Sequence, residues 1–344
     1  MSDCCAKPKK RYDIIFIASL LSVAVFYILN LFSVYLGLSI DGMQSLAANV
    51  FEIMNSMWWG LALGVLFVGI VGRIPRELVV AALGKGGTNS GLVRATCAGV
   101  MLDLCSHGIL MVGAKLYERG ASIGQVMAFL IASPWNSLSL TLILWAFIGF
   151  KWMLTFLVLS MVIAFVSGYL FDKAVGRGTL KANPNKVDLP VDYHFKAEFK
   201  KAFKGRDKSM SAFVSMLTAG VRDAKIVVKW LLFGVVMAAL VREFMPAESF
   251  ATYFGATVLG LMTTTMAATV IEVCSEGSVP IAADIFNKAD APGNSFAFLM
   301  AGVSTDYTEI MILRETLGQW KTALFLPLIT LPQILVWAFV LNQI

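Results

Sequence analysis

Charged residues are absent from six long stretches of this chain: 14–38, 53–72, 123–150, 152–171, 249–271 and 322–344. Each is near or above the roughly 20 residues that carry a helix across the hydrocarbon core of a bilayer. A segment in lipid must satisfy its own backbone polar groups, so these stretches are predicted as helices. With their flanks they form two sets of four apolar elements. The first set covers 57–72, 92–117, 123–149 and 151–172, and the second covers 226–244, 255–286, 292–313 and 320–342. The span at 14–38 is extra. The expected fold class is an all-α polytopic membrane protein with about 8–10 membrane helical elements in two internal repeats.

The two sets match in residues as well as in hydropathy. Between 103–133 and 272–302, at a constant offset of 169, nine positions are identical: Cys105/Cys274, Ser106/Ser275, Gly108/Gly277, Ala114/Ala283, Gly124/Gly293, Ala128/Ala297, Phe129/Phe298, Leu130/Leu299 and Ala132/Ala301. His107 faces Glu276 and Asp103 faces Glu272. The most polar part of the duplication is its best-kept part.

Composition agrees with the pattern. Of 344 residues, 58% are hydrophobic and 15% charged, with a mean hydropathy of +0.75. A soluble domain is nearer 45–50% apolar and about 25% charged. The stretch 14–38 follows Lys7, Lys9, Lys10 and Arg11, but its length exceeds the roughly 7–15 apolar residues of a secretory signal. It is read as an uncleaved first span. Five cysteines make no disulfide framework and no C-x-x-C, and Cys97 reads as a small apolar residue in a helix.

The one long polar stretch, 173–208, has ten basic residues against Asp188, Asp192, Glu198 and Asp207. No aromatic interleaving or glycine pattern accompanies the charge, so no nucleic-acid partner is expected. The positive-inside rule makes it a cytoplasmic linker. The chain then divides into a tail and extra span (1–50), a first repeat unit (51–172), a basic linker with an amphipathic surface helix (173–225) and a second repeat unit (226–344). Placing both the basic tail and the linker in the cytoplasm requires an even number of crossings between them, and five elements lie there. One must therefore re-enter. The candidate carries the Cys-Ser-x-Gly motif, expected to interrupt a helix at 105–108 and 274–277, with Pro280 close behind. Three crossings per copy then make the copies inverted; a parallel pair of four-span halves is the alternative. Charge bias favours inversion, since 73–94 carries a net charge of +3 and its counterpart 242–263 carries −1.

Ionisable groups at membrane depth need a partner, a bound cation or a proton. If two interrupted helices meet at the repeat interface, Cys105, His107, Cys274 and Glu276 come together. Two thiols, an imidazole and a carboxylate suit Cu(I), Zn(II) or trivalent arsenic. Ser106 and Ser275 line such a site or cap the interrupted helix. Downstream, "SPWNS" from Ser133 and "GVSTD" from Gly302 occupy equivalent places; Pro134 should break a helix, and Asn136 and Asp306 supply polar groups at matching depth. Asp103, Glu272, Glu276 and Asp306 are the candidate proton-coupling acids.

"CSHGILMVGAKLYERGASIGQVMAFLIASPWNSLSL" together with "CSEGSVPIAADIFNKADAPGNSFAFLMAG" resembles the ArsP-type predicted permeases over roughly 50–344. That resemblance implies efflux transport of trivalent organoarsenicals or, in another branch, of copper and zinc. Many members of that family have Cys-Ser-Cys-Gly where this chain has His107 and Glu276, a departure that favours a monovalent or divalent metal. The expectation is a multi-pass permease of the cytoplasmic membrane, with no cofactor and no catalytic residues, exporting a metal or metalloid; a homo-oligomer is compatible with it. The pattern G-x-x-x-x-G-K-[ST] is absent, so coupling to protons is expected rather than to a nucleotide. A membrane-embedded thiol enzyme using Cys105 with His107, and a passive channel, are the alternatives.

Overall fold

A computed structural model describes residues 13–36, 43–102, 106–133, 135, 138–186, 209–244, 253–270 and 275–344. These form fourteen helices, and no strand occurs among them. α1 (Ile14–Leu36), α2 (Gln44–Arg73), α3 (Arg76–Leu83), α4 (Asn89–Met101), α5 (Ser106–Glu118), α6 (Ile123–Ala132), α7 (Leu138–Ile148) and α8 (Phe150–Gly176) precede the linker. α9 (Met210–Phe244), α10 (Val258–Val270), α11 (Ser275–Lys288), α12 (Pro292–Thr305), α13 (Tyr307–Leu317) and α14 (Trp320–Leu341) follow it. Four stretches are long and apolar enough to cross a membrane: Ile14–Val34, Phe150–Gly176, Pro292–Leu317 and Trp320–Leu341.

Helix boundaries recur at the sequence offset. α4, α5, α6 and α7 begin at Asn89, Ser106, Ile123 and Leu138; α10 to α13 begin at Val258, Ser275, Pro292 and Tyr307, each 169 later. α8 and α14 follow with starts at Phe150 and Trp320, and α2 corresponds to α9. Two expectations are corrected. The stretch 209–225 is not a separate surface helix: it is the first half of the 35-residue α9, held along α2 by packing at Gly69 and Gly220. Nor does an interruption extend over Ser106–Gly108 or Ser275–Gly277, because α5 contains Gly108 and α11 contains Gly277 and Pro280; Cys105 and Cys274 lie outside the described residues. Gly108 serves close approach instead: a Cβ at Gly64 of α2 would press on its Cα at 2.9 Å.

Hydrogen bonds fix which helix ends lie together. At one end, here the linker end, Arg73 at the close of α2 donates to Ala212 O at the start of α9. There Arg119 donates to Ile74 O at 2.7 Å, Gly87 N to Asp172 at 3.1 Å and Gly124 N to Asp172 at 3.0 Å. Lys181 N reaches Gln319 at 3.4 Å, ahead of α14. At the far end, Ser45 donates to Glu243 at 2.6 Å, Asn287 to Phe147 O at 3.4 Å and Gly293 N to Asn342 at 2.7 Å.

Directions follow. α2 and α9 are antiparallel, because the start of each meets the close of the other. α8 and α14 are antiparallel as well: Lys181 meets Gln319, and fourteen residues away along both chains Ser167 meets Gln333 at 3.0 Å. α4 and α5 begin and end at the linker end, so they form a hairpin that does not cross. Each is 13 residues, about 20 Å long against about 30 Å of hydrocarbon. α10 and α11 form the corresponding hairpin from the far end, anchored where Asn294 donates to Phe254 O and Gly255 O at 2.9 and 2.8 Å. α6 with α7, and α12 with α13, run end to end as two interrupted crossings. Asp13, ahead of α1, lies 3.5 Å from Lys229 near the same end as Lys181.

The duplicated Gly124 and Gly293 acquire a reason here. A Cβ on Gly124 would strike Gly168 O and Asp172 of α8, and one on Gly293 would strike Ala338 O and Asn342 of α14. Each glycine lets the first turn of an interrupted crossing lie against the next helix, whose polar side chain accepts its N–H. Ser122 and Gln125 close a capping box on α6, and Pro292 opens α12.

Candidate functional site

The two hairpins enter from opposite ends of the molecule. α4 ends at Met101 with Leu102 extended, and residues 103–105 and 271–274, between α4 and α5 and between α10 and α11, lie outside the described residues. Asp103, Cys105, Glu272 and Cys274 are among them, and Asn136 and Pro134 also lie outside the described residues. The side chains of Ser106, Ser275 and Glu276 are likewise outside the description, although their backbone opens α5 and α11. Of the four proposed metal ligands, only the His107 side chain is described. It is 5% exposed, in the first turn of α5. Among the described residues no group of three potential metal ligands occurs.

The interrupted crossings meet in the middle of the molecule. Trp135, between α6 and α7, is fully buried, donates to Met300 Sδ of α12 at 3.3 Å and meets Phe156 of α8 edge-on. In the second copy the interruption is the single residue Asp306, whose extended ψ of 131° ends α12. Its Oδ1 accepts from Thr308 N at 2.9 Å, so this carboxylate caps α13 where sequence had marked a coupling acid. Hydroxyls gather beside it: Thr269 of α10 and Thr305 of α12 share a hydrogen bond of 2.7 Å. Glu309, one turn along α13 and 5% exposed, lines a cavity of about 10 Å³ with Ile109 and Leu110 of α5 and Leu130 of α6. That carboxyl therefore sits between the copies. A larger cavity, about 390 Å³, lies at the linker end around Lys85, Asp172 and Asn183, away from the interruptions.

Two ion pairs were not legible from spacing. Lys229 of α9, its side chain 9% exposed, holds both oxygens of Glu315 on α13 at 3.0 and 2.7 Å, while Trp230 Nε1 donates to the same carboxylate at 2.7 Å. Lys115 of α5 meets Asp223 of α9 at 2.6 Å and Glu118 at 2.8 Å. The available signal was Lys229 itself, a cation inside the apolar run 226–244, where an ionisable residue needs a partner.

Comparisons with known proteins agree with this architecture. A model of the ArsP_1 family, described as predicted permeases, matches residues 44–342. The chain is 25% identical over 244 residues to "Putative permease Rv2963" of Mycobacterium tuberculosis, covering 66% of this chain. The match spans 59% of that relative's length. No solved structure matches. The matched region takes in both hairpins and both interrupted crossings, and the chain belongs to the ArsP_1 family of predicted permeases.

Proposed function

We propose that this permease exports a thiophilic metal or metalloid, copper, zinc or a trivalent arsenic species, across the cytoplasmic membrane in exchange for protons. Cys105, His107, Cys274 and Glu276 hold the substrate, with Ser106, Ser275 and Asn136 lining its path. Asp103, Glu272, Glu276 and Asp306 handle the proton. The observation that carries this reading is the recurrence of Cys-Ser-x-Gly in the sequence at a constant offset of 169, immediately ahead of or at the start of α5 and α11. Interrupted helices at a repeat interface are where transporters bind ions, because backbone groups freed from helical bonding are available there. Soft thiolates select soft cations, and a ligand must lose its proton to bind one, so proton entry and metal release are linked.

A resistance panel tests it. A metal-sensitive host expressing the protein should survive a raised dose of one class among copper, zinc, arsenite and organoarsenicals. Cys105→Ala and Cys274→Ala, at equal abundance in the membrane, should each remove that protection, and Cys97→Ala on α4 should keep it. Full protection by both motif variants would remove the thiol site.

A further inference from the structure

The copies correspond helix by helix, yet they do not pack alike. α9 packs against α5 and α13, and α2 also packs against α5. Exchange of the copies would turn these three contacts into α2 with α11, α2 with α7 and α9 with α11. None of the three is a comparable contact among the described residues; α7 and α11 pack on each other. The converging elements are thus seated on the α2–α9 pair at the linker end and not at the far end.

Electrostatics follows the same division. Lys115 of α5 and Glu315 of α13 are tied to Asp223 and Lys229, six residues apart on α9. At an offset of 169 the counterparts of Asp223, Lys229 and Glu315 are Met54, Gly60 and Ala146, which cannot pair. The counterpart of Lys115 is Asp284, an exposed residue that bonds Lys288 of its own helix at 3.0 Å. The lock is built at one end only.

We infer that the structure is closed at the linker end, and that Lys115–Asp223 and Lys229–Glu315 form the gate that keeps it closed. Opening separates α5 and α13 from α9 and lets α7 and α11 take the equivalent seats on α2, closing the far end. Inverted copies make those two states near mirror arrangements, so little rearrangement is needed within each half. The pairs, part-buried with each lysine nearly covered, raise the barrier to opening, since each separated charge must be rehydrated or find another partner. This inference rests on the permease reading but not on the substrate.

Spin-label distances test it without any substrate. Nitroxides carried on unnatural side chains, leaving the cysteines native, are placed at Glu118 with Arg222 (linker end) and at Asp284 with Ala48 (far end), all exposed sites. In reconstituted protein, Asp223→Asn with Lys229→Gln should lengthen the first distance by about 5 Å or more, on the scale of one helical turn, and shorten the second. Asp223→Asn alone, a milder change that keeps the Lys229 pair, should give a mixture of both distances. Unchanged distances in the double variant, or a lengthening at the linker end without shortening at the far end, would overturn the gate. Loss of metal export with these distance changes intact would count against the substrate and leave the gate standing.

Discussion

Glycine carries much of the information in this chain, and Gly124 and Gly293 are its clearest case. Both survive in the duplication because a methyl group at either position would enter the backbone of the neighbouring helix. Gly124→Ala and Gly293→Ala should each cost about 1–3 kcal/mol through overpacking. Gly176→Ala, where the added carbon meets nothing within 4 Å, should match wild type or exceed it, as alanine is the better helix former. Thermal unfolding in detergent separates these outcomes; equal loss in all three would mean that backbone freedom, rather than close approach, keeps the glycines. Polar residues were read less completely. Cys105, His107, Cys274 and Glu276 stood out by recurrence, whereas Lys229 and Glu315 recur nowhere at the offset and gain meaning only once α9 and α13 lie side by side.

At the scale of elements, apolar length marked four described stretches able to cross, but the apolar run 249–271 falls on the 13-residue α10, too short to span; the parity of basic segments called for one element that returns. That element is the α4–α5 hairpin, with both ends beside α8 and α2. Its exact point of interruption was not legible, because glycine in a helix can signal either a break or close packing. Gly108 does the second, with Gly64 opposite. The extent of α9 was also missed: charges at Arg222, Asp223 and Lys225 looked like a surface helix, and Lys115 is what brings Asp223 inside the assembly. The topology makes a direct prediction. Reporters fused after Lys9, Gly120 and Lys200 should report one side of the membrane, and reporters after Lys288 and Ile344 the other. A reporter at Gly120 on the side of Lys288 would mean that α4–α5 crosses.

At the scale of the whole molecule, Asp306 caps α13 and Glu309, one turn on, lines a small cavity against α5 and α6. An ion leaving against its gradient needs an energy source, and in the proposed function the proton gradient supplies it if protonation and metal release alternate. The most direct measurement is metal uptake by everted vesicles, prepared with and without an imposed pH gradient. The wild type should accumulate its metal severalfold faster when the vesicle interior is acidic. Cys105→Ala and Cys274→Ala should abolish accumulation, Asp306→Asn should remove its response to the gradient while metal binding persists, and Glu276→Gln, at a proposed ligand, should weaken both. Wild-type accumulation that ignores the gradient, or that survives loss of both cysteines, would contradict proton-coupled export through the duplicated motif.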